Sequence, residues 1–160
     1  MIVTTTDWRK SAVYQIYPKS FYSPEGKPTG TLRGVTAKLD YLAELGVDYL
    51  WLTPVYASPQ RDNGYDVSDY YAIDPSYGTM ADFDELISEA GKRQLSVMMD
   101  IVVNHCSTDH EWFQQGRHPD SPYHDYFIWR DEPTDWISKF GGPAWSFDDV
   151  AGKYYLHLFD

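Results

Sequence analysis

The order strand, helix, strand, helix, strand over the first hundred residues predicts an α/β protein built on a parallel sheet. Three observations carry that prediction. Apolar runs at residues 12–18 ("AVYQIYP"), 47–52 ("VDYLWL") and 95–103 ("LSVMMDIVV") read as strands. Two intervening segments repeat apolar residues at helical spacing, and a capping or stop residue brackets each of them. The second strand is apolar almost throughout, as a strand covered on both faces should be.

Each element follows from its own residues. The first strand is partly alternating and rich in aromatic residues, and Pro18 closes it. A Gly/Pro-rich loop, "SPEGKPTG", comes next. Thr31 offers an N-cap to a helix carrying Leu32, Val35, Leu39 and Leu42, and Gly46 stops it. After the second strand, a polar loop is expected over residues 54–78. Thr79 and Asp82 then form a capping-box pattern for a second helix, with Met80, Phe83, Leu86, Ile87 and Ala90 as its apolar stripe. Beyond residue 105 no further strand–helix unit is apparent. Two short strand candidates (126–130 and 153–159) stand among Gly, Pro, Asp and Trp, so this region reads as a loop-rich excursion.

Composition limits the function. The 160 residues are globular in make-up and hold no repeat and no apolar run long enough to span a bilayer. Residues 1–10, "MIVTTTDWRK", show no basic stretch followed by an apolar one, so no secretory signal is expected. Cys106 is the single cysteine, which excludes an internal disulfide and fits a reducing, cytoplasmic compartment. The net charge of −11 would repel a phosphate backbone, so neither nucleic acid nor a membrane is expected as a partner. Aromatic residues make up 17 % of the chain. They suit either a large aromatic core or sugar binding, in which ring faces stack on pyranose C–H faces.

Two stretches concentrate chemistry. "DIVVNHCSTDH" (100–110) opens with a carboxylate, Asp100, placed inside the predicted third strand, and leaves that strand at Asn104 and His105. In parallel α/β folds ligands meet the carboxyl ends of strands. "DNGYDVSDY" (62–70) sets three carboxylates, an Asn-Gly turn and two tyrosines in the loop after the second strand. Asx turns and solvation would also explain that loop. A zinc site is poorly supported, because His105 and His110 are five residues apart and Cys106 stands alone. No G-x-S-x-G elbow and no Gly-rich phosphate cradle is present.

Taken in order, "AVYQIYPKSF", "LRGVTAKLDYLAELGVDYLWLTPVY", "DNGYDVSDYYAIDPSYGT" and "DIVVNH" resemble the α-amylase family of retaining glycoside hydrolases, in its α-glucosidase branch. The resemblance implies the N-terminal part of a (β/α)8 TIM barrel with a loop-rich domain inserted after the third strand. Residues 1–104 would be the first three β/α units and 105–160 the inserted domain, the chain ending before the fourth barrel strand. It implies that His105 hydrogen-bonds the sugar at the cleavage point. Asp62 would hydrogen-bond, and Tyr65 stack on, the same glucose ring. Phe159 would form an aromatic wall, with Asp100 and Asn104 as organisers rather than contacts.

Two departures qualify the likeness. Relatives that bind a divalent cation after strand one use a D-x-N-x-D-G-x-G-D pattern. Here Ser23, Lys27 and Thr31 stand where carboxylates would be, so no metal and no cofactor is expected. The retaining mechanism needs two carboxyl groups about 5 Å apart, and the family's G-x-R-x-D nucleophile segment does not occur in these residues. No catalytic residue is therefore assigned here, and these residues alone are expected to be inactive. "YPKSF", "DPSYGT", "SKFGGPAW" and "YYLHLFD" are most similar to trehalose-6-phosphate hydrolases. Oligo-1,6-glucosidases and isomaltulose-, trehalulose- or sucrose-acting enzymes are close behind. A non-catalytic scaffold of the same family is the alternative of a different class. Retention of Asp62, Tyr65 and His105 argues against it.

Overall fold

The structure, a computed structural model, describes residues 8–159. Most of the stretch read for a secretory signal, and the last residue of the expected inserted domain, lie outside the described residues. The chain divides into two compact units, one of residues 8–57 and 70–101, the other of residues 58–69 and 102–159. The second unit thus starts at Val102 and also takes a segment that the sequence places in the first.

The first unit is organised by three parallel strands, β1 (Val13–Ile16), β2 (Tyr49–Leu52) and the strand after the last long helix, Ser96–Met99. Pairing is in register along the whole ladder, Ile16 beside Leu52 and Leu52 beside Met99. Ile16, Leu50 and Leu52 are fully buried beneath the helices. Burying each such side chain stabilises the unit by about 1.5–3 kcal/mol.

The helix expected from Thr31 to Gly46 is two helices, α2 (Leu32–Ala37) and α3 (Leu39–Glu44), hinged at Lys38; a four-residue turn of helix, α1 (Pro18–Phe21), precedes them. The expected stripe survives the break, since Leu32, Val35, Leu39 and Leu42 are all fully buried. Thr31 caps α2 by accepting from the Gly34 amide, 3.1 Å. Gly34 inside a helix has a steric cause: a Cβ there would collide with the Tyr22 carbonyl. Helix α4 (Met80–Lys92) starts on the expected capping box between Thr79 and Asp82. Its buried face is narrower than the sequence stripe, because Met80 and Ile87 are largely exposed.

Two expectations need correction. The segment 54–78 is not all loop: β3 (Tyr56–Ala57) pairs with β4 (Asp69–Ile73), strands too short or too exposed to show a period. The strand expected at 95–103 is β5, Ser96–Met99, so Asp100 lies beyond it rather than inside. Its amide still donates to the Leu52 carbonyl, 3.1 Å. The ladder stops there because β2 ends and Pro54 has no N–H to offer. Ile101 and Val103 are consequently exposed, not buried.

The second unit holds more structure than its sequence suggests. Helix α5 (Glu111–Gly116) and a 3₁₀ turn (His124–Tyr126) lead into an antiparallel sheet of β6 (Trp129–Arg130), β8 (Lys153–Leu156) and β7 (Trp145–Asp148), in that order. Phe113 anchors it, with Phe127, Trp129 and Tyr155 rings at 5.1, 5.8 and 4.9 Å. Much of the aromatic content therefore serves this core.

Asp82 ties the first unit together. It accepts from the Thr79 amide and hydroxyl, both at 2.7 Å, and from Arg33 Nε on α2 at 2.6 Å. The Thr79 hydroxyl first, then Arg33, hold its carboxyl below the usual range. A carboxyl so depressed contributes stability above its unfolded pKa of about 4 and loses it as pH falls through the folded value. Asp82→Asn should cost about 1–3 kcal/mol at pH 7 in urea denaturation, with a smaller difference from wild type at pH 3.

Candidate functional site

The Asp62-Asn63-Gly64-Tyr65 turn is closed by the Tyr65 amide on the Asp62 carbonyl, 3.0 Å. Asn63 and Gly64 have φ of 52° and 97°, the left-handed pair that Asn-Gly adopts most readily. The turn carries Asp62 and Tyr65, both half-buried, on a loop braced from within. Asp66 provides the brace, accepting from Ser58 Oγ (2.7 Å) and from the Arg61 amide (2.8 Å). Of the loop's carboxylates Asp66 is thus engaged in structure, and Asp69 opens β4 on the surface.

That loop is bonded to the segment carrying His105. The Ser107 amide donates to the Val67 carbonyl at 2.9 Å, and both residues are buried. Arg61 grips Asp109 with two hydrogen bonds, 2.9 and 3.2 Å. Each of these residues stands two to four positions from Tyr65 or His105 along the chain.

At His105, the Asn104 side-chain amide lies 2.9 Å from Nδ1. An amide NH₂ can only donate, so Nδ1 accepts and the ring hydrogen is left to Nε2. The Phe159 ring packs on His105 at 4.7 Å, and Phe140 on Phe159 at 5.5 Å. Phe140 was not singled out from sequence. Its signal was the "FGG" of residues 140–142, where both glycines take positive φ and turn the chain tightly. Phe140 itself is 73 % exposed, a large apolar ring presented to solvent.

The structure therefore puts His105 in contact with both Asn104 and Phe159 and holds Asp62 and Tyr65 in the same unit. Asp100 belongs to the first unit, where its carboxylate, after burial, helps raise the Tyr56 phenol's pKa. His110 is an N-cap: Nδ1 accepts from the Trp112 amide at 3.0 Å, and burial lowers its pKa.

The loop after β1 does not fit a hard cation. Ser23 Oγ accepts from the Lys27 amide at 3.2 Å, and Thr31 Oγ1 is committed to capping α2. Lys27 adds a positive charge where a cation would need a negative one. Among the described residues no three His, Cys, Asp or Glu side chains gather as a metal-binding group. No helix among them is long and apolar enough to cross a membrane.

Residues 15–160 match the profile described as "Alpha amylase, catalytic domain". The chain belongs to the alpha-amylase family. A trehalose-6-phosphate hydrolase from Bacillus subtilis is 58 % identical to it over 96 % of this chain and 28 % of that relative. An Escherichia coli trehalose-6-phosphate hydrolase is 54 % identical over 95 % of the chain and 28 % of its own length. A Streptococcus pneumoniae glucan 1,6-alpha-glucosidase shares 54 % identity, covering 95 % and 29 %. Among solved structures, a Bacillus licheniformis trehalose-6-phosphate hydrolase superposes with a TM-score of 0.91 at 55 % identity, covering 96 % of this chain and 29 % of that one. The trehalulose synthase from Pseudomonas mesoacidophila gives 0.92 at 50 % identity, with coverages of 96 % and 29 %. The chain spans less than a third of the length of these alpha-amylase relatives and matches their N-terminal part. Strands β1, β2 and β5 are the opening of a (β/α)8 barrel, as the resemblance implied.

Cys106 adjoins His105 but is not set up as a nucleophile. Burial pushes its thiol up to about 11, which leaves about one thiolate in a thousand at pH 8. Alkylation by iodoacetamide at pH 8 should therefore run about a hundred-fold slower than for a free cysteine, and faster on denaturation.

Proposed function

We propose that the protein is a retaining α-glucosidase acting on small oligosaccharides, and that its substrate is trehalose 6-phosphate, cleaved by water to glucose and glucose 6-phosphate. The observation that carries this reading is the His105–Phe159 contact beside the braced Asp62–Tyr65 turn, in a chain 58 % and 54 % identical to two trehalose-6-phosphate hydrolases. In this reading His105 donates from Nε2 to a sugar hydroxyl. Asp62 accepts from a second hydroxyl, and the Tyr65 ring stacks on the glucose C–H face. Phe159, extended by Phe140, excludes water from one wall, and Asn104 fixes the tautomer that makes His105 a donor.

The chemistry itself falls to two carboxyl groups, a nucleophile and an acid/base, in the remainder of the family's catalytic domain. Residues 1–104 would contribute the first barrel units and 105–160 an inserted domain. Asp100 would support the strand end. No cofactor or metal enters the reaction. The partner is a small sugar, and the single cysteine, Cys106, supports a cytoplasmic site of action.

Oligo-1,6-glucosidase activity is the second reading, favoured by the 53 % identity to such an enzyme from Parageobacillus thermoglucosidasius. Kinetics of the full-length protein on trehalose 6-phosphate, isomaltose, isomaltulose and sucrose decide between them. The highest kcat/KM is expected on trehalose 6-phosphate. Preference for isomaltose would move the assignment to the second reading, and absence of turnover on all four would make the protein a scaffold.

His105→Ala in that protein should lower kcat/KM by about 2–4 kcal/mol of transition-state binding, with Tm little changed. Activity within a few-fold of wild type together with a collapsed Tm would make His105 a core residue. The isolated 160 residues should show no turnover of a chromogenic α-glucoside.

A further inference from the structure

His157 is untouched by the functional reading, yet it sits between the sheet of the second unit and the aromatic wall. β8 ends at Leu156, and residues 157–159 follow outside the strand. Three hydrogen bonds fix them. The His157 amide donates to the Ala144 carbonyl (2.9 Å), the Lys139 amide donates to the Leu158 carbonyl (2.9 Å), and the His157 ring reaches the Phe159 carbonyl.

The ring bond sets the chemistry. His157 Nδ1 lies 3.2 Å from the Phe159 carbonyl oxygen, which can only accept, so Nδ1 carries the hydrogen. Nε2 in turn bonds to Ser146 Oγ at 3.0 Å. Ser146 lies on β7, directly across from Tyr155 of β8. The imidazole is thus held at both ends, one nitrogen to a strand and the other to the backbone from which the Phe159 ring projects. The Lys139 bond ties the neighbouring turn, and with it Phe140, to the same three residues.

We infer that His157 is a positioning residue for sugar binding: its Nδ1–H holds the Phe159 backbone so that the Phe159 ring lies against His105. This rests on the reading of His105 and Phe159 as walls of a glucose pocket. Loss of the bond frees the Phe159 carbonyl and lets the ring move off His105. A displacement of that kind weakens ground-state binding of the glucose ring more than it alters bond cleavage.

The test uses the full-length protein and p-nitrophenyl α-glucoside, with three variants. His157→Ala should raise KM about ten-fold with kcat within about three-fold. His157→Asn, whose amide N–H sits near the position of Nδ1, should restore KM to within about three-fold of wild type. His157→Gln, which places its amide near Nε2 instead, should not. Tm of each variant is recorded alongside. An unchanged KM in the Ala variant overturns the inference, as does equal rescue by Asn and Gln. A matching loss of Tm in all three, with KM unaffected in the folded fraction, makes His157 a residue of the sheet alone and also overturns it. Wild-type turnover separates the two levels: an inactive wild type removes the glucosidase reading and this inference together, whereas an active wild type with indifferent variants removes only the inference.

Discussion

The buried hydrogen bond from the Ser107 amide to the Val67 carbonyl is the contact on which the candidate site depends. It joins two segments forty residues apart in sequence, and neither belongs to a strand or helix at that point. Both residues are buried, so breaking the bond would leave an amide and a carbonyl without solvent, a cost of about 1–3 kcal/mol for each. The surface pair Arg61–Asp109 adds geometry more than energy, since an exposed ion pair contributes about 0–1 kcal/mol. With that junction in place, the Asn-Gly turn and the His105 segment have little freedom left. A sugar pocket needs such stiffness, because every degree of freedom frozen on binding reduces affinity.

The first unit has a different task and a different weakness. Its core is made by strands β1, β2 and β5 under α2, α3 and α4, and it is tightly closed on the helical side. On the edge strands β1 and β5, and just beyond the end of β5, apolar side chains of this unit stay in solvent: Val13, Met98 and Ile101. Parallel sheets are stable when covered on both faces, and a barrel abolishes edges by closing on itself. In the alpha-amylase family the next strands of the (β/α)8 barrel occupy those edges, which accounts for apolar residues where a free surface would carry charge.

Sequence reading was most successful where one local rule had no competitor. Thr79 and Asp82 announced α4 because a capping box leaves few other uses for those residues at that spacing. The Asn63-Gly64 turn was legible because few other residue pairs accept positive φ twice in succession. The break at Lys38 was invisible, since the apolar stripe continues through it. The third strand was read too long because "MMDIVV" alternates no differently inside and outside the ladder. Its true end is set by Pro54, two residues past the end of β2, which no local window contains. Phe140 and His157 escaped for a similar reason: a turn and a side-chain bond that only the folded chain brings together give them their roles. The family resemblance directed attention to Asp62, Tyr65, His105 and Phe159. What it does not convey is how His105 Nδ1 is engaged, a matter of one amide 2.9 Å away.

In the proposed pocket, one glucose ring is held jointly by the braced turn and the His105 segment. The most direct measurement is a crystal structure of the full-length protein with glucose bound. Asp62 and His105 Nε2 should lie within about 3 Å of sugar hydroxyls, with the Tyr65 ring face against the pyranose. Glucose seated elsewhere, or seated here with His105 turned away from it, would show that these residues do not form its pocket.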